Sequence, residues 1–355
     1  MESGSRKVSI SLEDFKYNLT ISNKIKLSNL NPEILKTAIA ILNWNGKPWL
    51  EKFLPNVILH SPEAEIYVID NASTDNSVSF LKEHFPEVKI IINKENYGFA
   101  GGYNEGLKSI DADIYCLLNS DVEVTENWIE SILQLYYKDK NISAVQPKIL
   151  SFNEKKKFEF AGAAGGLIDN LGYPYCRGRI FDDTETDNGQ YDEECEIFWA
   201  SGCAFFIRSK DFWEQNGFDE RFFAHQEEID LCWRLKNSGK KIFYTSKSVV
   251  YHVGGGTLNK QSPQKTYLNF RNNLSMMAKN LPFPNVLWIV FFRLCLDGIA
   301  GLYLGLKNGF SHLWAVVRAH FGFYAQLPET IKRRGKYQIK NYFQTKWLIF
   351  KHFLI

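Results

Sequence analysis

The 355-residue sequence contains no CxxC pair, no apolar leader at its start and no run of about 18 uncharged apolar residues. Each absence excludes something. Six cysteines (Cys116, Cys176, Cys195, Cys203, Cys232 and Cys295) are scattered, several inside apolar runs where a thiol acts as a small buried hydrophobe. Their spacing excludes a disulfide framework and a cysteine zinc site, and a reducing cytoplasm is the expected compartment. Residues 1–36 form a polar, Asn- and Lys-rich extension without a signal-peptide core. The most apolar stretch, 286–306, is interrupted by Arg293 and Asp297, so a spanning helix is not expected, and lying on a membrane stays open. Net charge is only +2, too small a field for a nucleic-acid binder. The balance is uneven: between residues 327 and 355 Glu329 stands alone against Lys332, Arg333, Arg334, Lys336, Lys340, Lys346 and Lys351.

What is present begins at Thr37. Apolar, β-branched runs at 37–42, 65–70, 88–92 and 114–118 alternate with helical patterns at 48–59, 75–85 and 99–110. This rhythm predicts an open α/β sheet, mostly parallel, covered by helices on both faces. Ligands of such sheets bind beyond the carboxyl ends of the strands. All four ends carry polar, turn-forming residues: Asn43-Trp44-Asn45-Gly46, Asp70 to Asp75, the glycine-rich stretch Asn96 to Asn104, and Asn119-Ser120-Asp121-Val122-Glu123. One Asx-rich loop is a turn signal, but four at one edge suggest a site. A buried strand is expected over 197–208, kinked at Ala200-Ser201-Gly202, then a short helix at 209–216. A helix at 226–238 and strands at 241–245 and 248–251 follow, ending at His252 and Gly254-Gly255-Gly256. Residues 151–196 read as irregular, and the chain beyond Gln264 as helical.

Three groups of residues are candidates for chemistry. Asp121 and Glu123, one residue apart at a strand end, can face one ligand, and their oxygens suit Mg²⁺ or Mn²⁺; a solvated turn is the plain alternative. His252, before three glycines, is compatible with Mn²⁺ or is simply a packed histidine. Glu227, Glu228 and Asp230 open a helix, where acids also complement the dipole; adjacent helical positions diverge by about 100°, so they cannot all serve one site. The glycine stretch Gly98–Gly106 does not follow the dinucleotide-binding spacing and reads either as a turn or as a close backbone approach to a ligand.

Taken in order, the stretches Val68 to Asp75, Asn96 to Asn104, Leu118 to Glu123, Ser201-Gly202, Gly217 to Glu220, Phe222 to Arg234, and His252 resemble family 2 glycosyltransferases of the GT-A (nucleotide-diphospho-sugar transferase) fold. The likeness is greatest to the rhamnosyltransferase-like branch and covers roughly residues 37–275. It implies a catalytic domain over 37–280, with a nucleotide-binding half at 37–123 and an acceptor half at 124–280. Residues 281–355 then form a helical extension that meets a membrane, dimerises, or packs on the catalytic domain.

The resemblance also implies roles. Asn45, Asp70, Asn71 and Asn104 would surround the nucleoside, with Gly98, Gly102, Asn119 and Gly202 completing the donor site; Trp199 and Trp233 would either wall the sugar subsite or lie in the core. Asp121 would hold the metal, with Glu123 and His252 near it. Glu228, preceded by Glu227, would be the general base. Two departures stand out: the metal triplet reads Asn119-Ser120-Asp121, with one carboxylate, and the base motif reads Glu-Glu. The Gln-x-x-Arg-Trp signature of processive synthases is missing, and Phe270-Arg271-Asn272-Asn273 stands near its place, so single-sugar transfer is expected.

The implied reaction is inverting transfer of one sugar from a dTDP-, UDP- or GDP-sugar, with rhamnose suggested by the branch, to a hydroxyl of a glycan or lipid-linked glycan in cell-surface assembly. The basic, aromatic C-terminal region would suit peripheral contact with the cytoplasmic membrane face or a homodimer. The competing readings are a sugar-phosphate nucleotidyltransferase and a non-catalytic sugar-nucleotide-binding module. The first wants a glycine-rich basic loop after the first strand, which is not there; the retained acids argue against the second.

Overall fold

Short runs of branched residues, apolar on both sides, make the first four strands of the computed structural model, which describes residues 34–254 and 262–353. The chain divides between Lys36 and Thr37. Residues 1–33, most of the expected extension, and Gly255-Gly256 lie outside the described residues.

The first half runs β1 (Thr37–Asn43), α1 (Lys47–Leu59), β2 (Glu65–Asp70), α2 (Ser77–His84), β3 (Lys89–Ile92), α3 (Gly98–Leu107) and β4 (Ile114–Leu118). Helix α1 carries Pro48 in its first turn, where a missing N–H costs nothing, and buries Leu50, Phe53, Leu54 and Val57 at helical spacing. The strands pair in parallel, with Asn43 beside Asp70 and Asp70 beside Ile92. Register therefore brings the polar residues after β1, β2 and β3 to one edge.

The second half continues through β5 (Val122–Val124), α4 (Glu130–Lys138) and the long buried β6 (Ile142–Ser151). Residues 151–196, expected to be irregular, carry a four-stranded antiparallel sheet: β7 (Gly166–Ile168), β8 (Pro174–Cys176), β9 (Arg179–Ile180) and β10 (Asp183–Thr184). Strands of two or three residues are too short to show a period, so local pattern misses them. Next come β11 (Cys195–Glu196), β12 (Ala204–Arg208), α5 (Ser209–Glu214), α6 (Glu227–Asn237) and β13 (Lys241–His252). The strand expected from 197 is confined to β12, and the two expected after 241 are one strand with a register shift between Thr245 and Val249.

The main sheet runs β11-β13-β6-β12-β4-β1-β2-β3, with β5 pairing β13. It is mixed: β12 lies antiparallel between β4 and β6, whereas β13 runs parallel to β6. This α/β layering, with helices following, matches the expected class. Strand β12 also carries the chain across the sheet, so that α6 and β13 arrive at the same edge as the Asx-rich loops.

Three long helices follow, α7 (Pro263–Asn280), α8 (Asn285–Asn308) and α9 (Phe310–Lys332), then α10 (Leu348–Phe353). Helix α7 joins the catalytic unit through buried Lys279, whose Nζ lies 2.8 Å from both Asp219 and Asp230. Helix α8 is long and apolar enough to cross a bilayer by length and composition, although a count of uncharged residues alone excludes it.

Candidate active site

The nucleotide-side edge is a mesh of amides. Buried Asp70 accepts from Asn43 Nδ2 at 3.0 Å and from the Ser73 amide at 2.9 Å. Asn45, at φ +52°, accepts from the amides of Thr74 and Asp75 and so locks the first loop to the second. Asn71 donates to Asn96 and to the Gly98 carbonyl, and Asn93 donates to Asn71 and to the Gly102 carbonyl. Gly102 has no room for a side chain: a Cβ would sit 2.9 Å from Asn71 and from Leu42. Gly98, at φ +72°, would strike Phe223 at 2.6 Å. Asp70, Asn71, Asn45 and the two glycines are thus gathered at one edge, with Asn43, Ser73, Asn93 and Asn96 beside them.

Two residues expected at the donor are elsewhere. Asn104 is buried, its amide donating to the Phe218 carbonyl and to Glu220, while its oxygen accepts from the Phe218 amide; it clamps a turn. Trp199 is in the core, its ring against Gly166 and its N–H donating to the Leu167 carbonyl at 2.9 Å. Both types look like ligand contacts in sequence, but each satisfies its polar atoms internally. Trp233 is also buried, between Phe198 and Tyr342.

Asp121 and His252 meet where β13 passes β5. His252 Nε2 lies 3.1 Å from Asp121 Oδ1 and 3.3 Å from the Asn119 amide nitrogen. His252 Nδ1 lies 3.3 Å from Glu159 Oε2, a carboxylate that no motif marks. That contact lacks hydrogen-bond alignment, leaving Nδ1 without a donor or acceptor partner. Gly254, at φ +74°, leaves the space Glu159 fills, since a Cβ there would come within 2.7 Å of it. Burial alone would raise the Asp121 carboxyl, but His252 outweighs it and holds Asp121 below its usual range. Burial alone would lower the His252 imidazole, but Cys203, Asp121 and Glu159 hold it well above its usual value. Glu123 is not brought to this pair; Lys155 engages its carboxylate at 2.5 Å, one residue further along β5.

Opposite stands a strained segment. Phe223, His225 and Gln226 all have positive φ, at 64°, 71° and 73°, directly before α6. Such conformations cost of order 1–3 kcal/mol each and persist only where the surroundings impose them. Asn272 imposes them here: its Nδ2 faces the carbonyls of Phe222, Ala224 and His225 at 3.0, 2.9 and 2.8 Å. Arg271 grips the Arg221 and Phe222 carbonyls.

The segment presents buried polar atoms without partners: His225 Nε2, Gln226 Oε1, Glu227 Oε2 and Glu228 Oε2. Buried polar groups are almost always paired, so four together mark a place kept for another molecule. Burial pushes the Glu228 carboxyl up, and the Gly202 amide partly offsets it. Glu227, more deeply buried and next to the Glu228 charge, is pushed up further. Burial and Lys265 pull His225 down to about 4, so the ring is neutral near pH 7. Gly202 lies against Phe99 and Glu228, and the next residue, Cys203, borders His252. One turn therefore links the glutamate to the Asp121–His252 pair.

This layout is that of GT-A glycosyltransferases, and solved structures of that fold superpose on the chain. The crystal structure of GalNAc-T7 with UDP, GalNAc and Mn²⁺ aligns with TM-score 0.58 at 16% identity, covering 90% of this chain and 68% of that one. The mannosyltransferase PcManGT from Pyrobaculum calidifontis, in complex with GDP-Man and Mn²⁺, aligns with TM-score 0.50 at 13% identity, covering 87% and 95%. A family model described as Glycosyl transferase family 2 matches residues 38–214. The N-acetylglucosaminyl-diphospho-decaprenol L-rhamnosyltransferase of Mycobacterium tuberculosis is 23% identical over 236 residues, 62% of this chain and 76% of the relative. Rhamnosyltransferase WbbL of Escherichia coli is 21% identical over 213 residues, 58% and 79%. The chain belongs to glycosyltransferase family 2, in its rhamnosyltransferase-like branch.

Proposed function

We propose that this glycosyltransferase moves one sugar from a nucleotide diphosphate donor to an acceptor hydroxyl with inversion at the anomeric carbon. The observation that carries the reading is the desolvated Glu228 carboxylate, whose Oε2 has no partner, at the head of α6 directly after a strained segment. A base poised in this way takes a proton from a hydroxyl more readily than an ordinary surface carboxylate. Glu228 removes the acceptor proton as that oxygen forms its bond to the anomeric carbon. The bond to the diphosphate breaks on the opposite face, and its electron pair leaves with the nucleoside diphosphate.

The residues at Asp121 and His252 fit a divalent cation. Among the described residues no group of three or more His, Cys, Asp or Glu could hold a metal ion by itself. A carboxylate and an imidazole 3.1 Å apart nevertheless suit Mn²⁺ or Mg²⁺ that takes its remaining ligands from phosphates and water. Such a cation, when bound, offsets the charge that develops on the departing diphosphate. Glu159 stands behind His252, 3.3 Å from Nδ1, where its charge favours a proton on Nδ1 and leaves Nε2 to face Asp121. The Asx-rich edge supports a nucleoside subsite at Asp70 and Asn71. The names of the relatives favour rhamnose as the sugar and an acceptor linked to a diphospho-lipid; the carrier is dTDP, UDP or GDP. The scattered free cysteines favour a cytoplasmic setting.

The test is release of nucleoside diphosphate from a panel of dTDP-, UDP- and GDP-sugars, with and without Mn²⁺, by the wild type and Glu228→Gln. Removing the base is expected to lower transfer by about 10²–10⁴-fold. Equal turnover by the variant would remove Glu228 from the mechanism.

A further inference from the structure

Helix α8 is inside out. Over its 24 residues the buried ones are Arg293, Asp297 and Gly301, spaced four apart on one stripe. Inward, Arg293 donates to the Leu171 carbonyl at 2.8 Å, stacks on the Tyr173 ring, and lies 3.4 Å from Asp297. Outward stand Leu287, Trp288, Phe291, Ile299, Leu302 and Leu306. A helix in water buries its apolar stripe and exposes its charges; this one sets a charged pair at the centre of its inward stripe, flanked by half-buried Val286, Ile289, Val290 and Leu294, and leaves its largest apolar side chains outside. The pattern continues on α9, where Phe310, Trp314, Phe321 and Tyr324 are exposed on one side. Of the twenty-two large hydrophobic side chains exposed among the described residues, sixteen lie between residues 283 and 347. A patch of this extent marks an interaction surface.

We propose that this face docks on an anionic lipid bilayer, with the helices lying in the interface. Charge selects the occupant. Over residues 285–353 the exposed cations are Lys307, Arg318, Lys332, Arg333, Lys336, Lys340, Lys346 and Lys351, against one exposed acid, Glu329. Arg318 stands four residues after Trp314 and three before Phe321 in the aromatic stripe of α9, and Lys332 closes the helix, as on helices that rest in a headgroup layer. Each basic side chain near an anionic leaflet adds attraction, and indole and phenol rings favour the same depth. A second copy of this chain would bring two such basic faces together, so charge disfavours a dimer here. Crossing the bilayer would pull Arg293 and Asp297 away from Leu171 and Tyr173, so α8 stays on the catalytic unit.

A groove of about 510 Å³ opens on the same face between Trp288, Phe291, Phe292, Tyr342, Phe343 and Trp347, with a lining suited to a lipid acyl chain. The face is also placed for its purpose. The start of α9 is tied to the start of α7 by the 2.9 Å contact of Thr266 with His312, and Lys265 next to it faces His225 of the strained segment. The apolar tip at Leu306 and Phe310 therefore lies at the catalytic end of the helical layer.

The inference does not depend on which donor is used. The full-length protein is floated with vesicles of phosphatidylcholine alone and of phosphatidylcholine with phosphatidylglycerol. Leu306→Glu/Phe310→Glu and, separately, Lys332→Glu/Lys336→Glu are floated beside it, with thermal melting and donor hydrolysis in solution read for each. Flotation with the anionic vesicles, reduced about tenfold or more by either pair at unchanged melting, is the expected result. Failure of the wild type to float overturns the proposal, as does equal flotation of the folded variants. A wild-type dimer that Leu306→Glu/Phe310→Glu dissociates, without flotation, assigns the face to a second copy. Loss of flotation with donor hydrolysis intact separates this proposal from the catalytic one; absence of hydrolysis in every protein counts only against the latter.

Discussion

Two glutamates show what a sequence reveals and what it conceals. The place of Glu228 at the head of a helix was legible because its neighbours form a recognisable order. Its desolvation was not, because the burial is made by residues far away in the chain. That burial has a sign. A carboxyl pushed up must still be ionised to accept a proton, so transfer falls as pH drops through the raised value. The acid limb of kcat/KM should therefore lie above about 4.3, the ordinary glutamate value. A limb at or below that value would show a base fully exposed to water. Glu159 was not legible at all, since it stands in a stretch without pattern and reaches His252 only through tertiary folding. If it orients the imidazole, Glu159→Gln weakens Mn²⁺ binding by about 10–100-fold, as loss of an outer-shell partner commonly does, and calorimetric titration of Mn²⁺ reads this directly. Unchanged affinity would leave Glu159 a packing residue. Asn104 is the converse case: its place in the motif pointed to a ligand, and the fold uses it to close its own hydrogen bonds, whereas Trp199 takes the core role of its two readings.

At the scale of elements, the alternating half was readable because every strand there is long enough to declare its period. The small sheet of β7 to β10 was not, and neither was the full length of β13, whose register shift hides one strand as two. The strained turn before α6 lay beyond reach for a different reason. Positive φ at Phe223, His225 and Gln226 is imposed by Asn272, almost fifty residues later. The stretch Phe270-Arg271-Asn272-Asn273, singled out in the sequence only for not being a polymerase signature, turns out to hold the segment before α6 in place. Asn272→Ala should therefore lower kcat on the order of ten- to a hundredfold while leaving the KM for donor unchanged, because displacement of about 1 Å is enough to cost that much. Steady-state kinetics separates the two; a rise in donor KM with kcat intact would contradict a positioning role.

At the scale of the whole molecule, one buried lysine joins the helical layer to the catalytic sheet. Lys279 sits between Asp219 and Asp230, with Arg221 and Arg234 closing the cluster. Lys279→Met leaves both carboxylates short of a partner, and stability should fall by about 3–5 kcal/mol in denaturant unfolding. Burial would raise the Asp219 carboxyl, but Arg221 and Lys279 hold it well below its usual range. Its contribution is thus complete above about 3.9, the unfolded value, and is lost as pH falls toward the folded one. A variant as stable as the wild type would mean that the layers hold together through apolar contact alone.

If the outward apolar stripe of α8 rests on a bilayer as proposed, it changes the unit in which acceptor is counted. For an enzyme resting on a leaflet, a lipid-anchored acceptor is met by lateral diffusion, and its relevant concentration is its mole fraction in the lipid. Adding bare vesicles would slow transfer by surface dilution, while adding buffer at constant lipid composition would leave it nearly unaltered once the enzyme is fully bound.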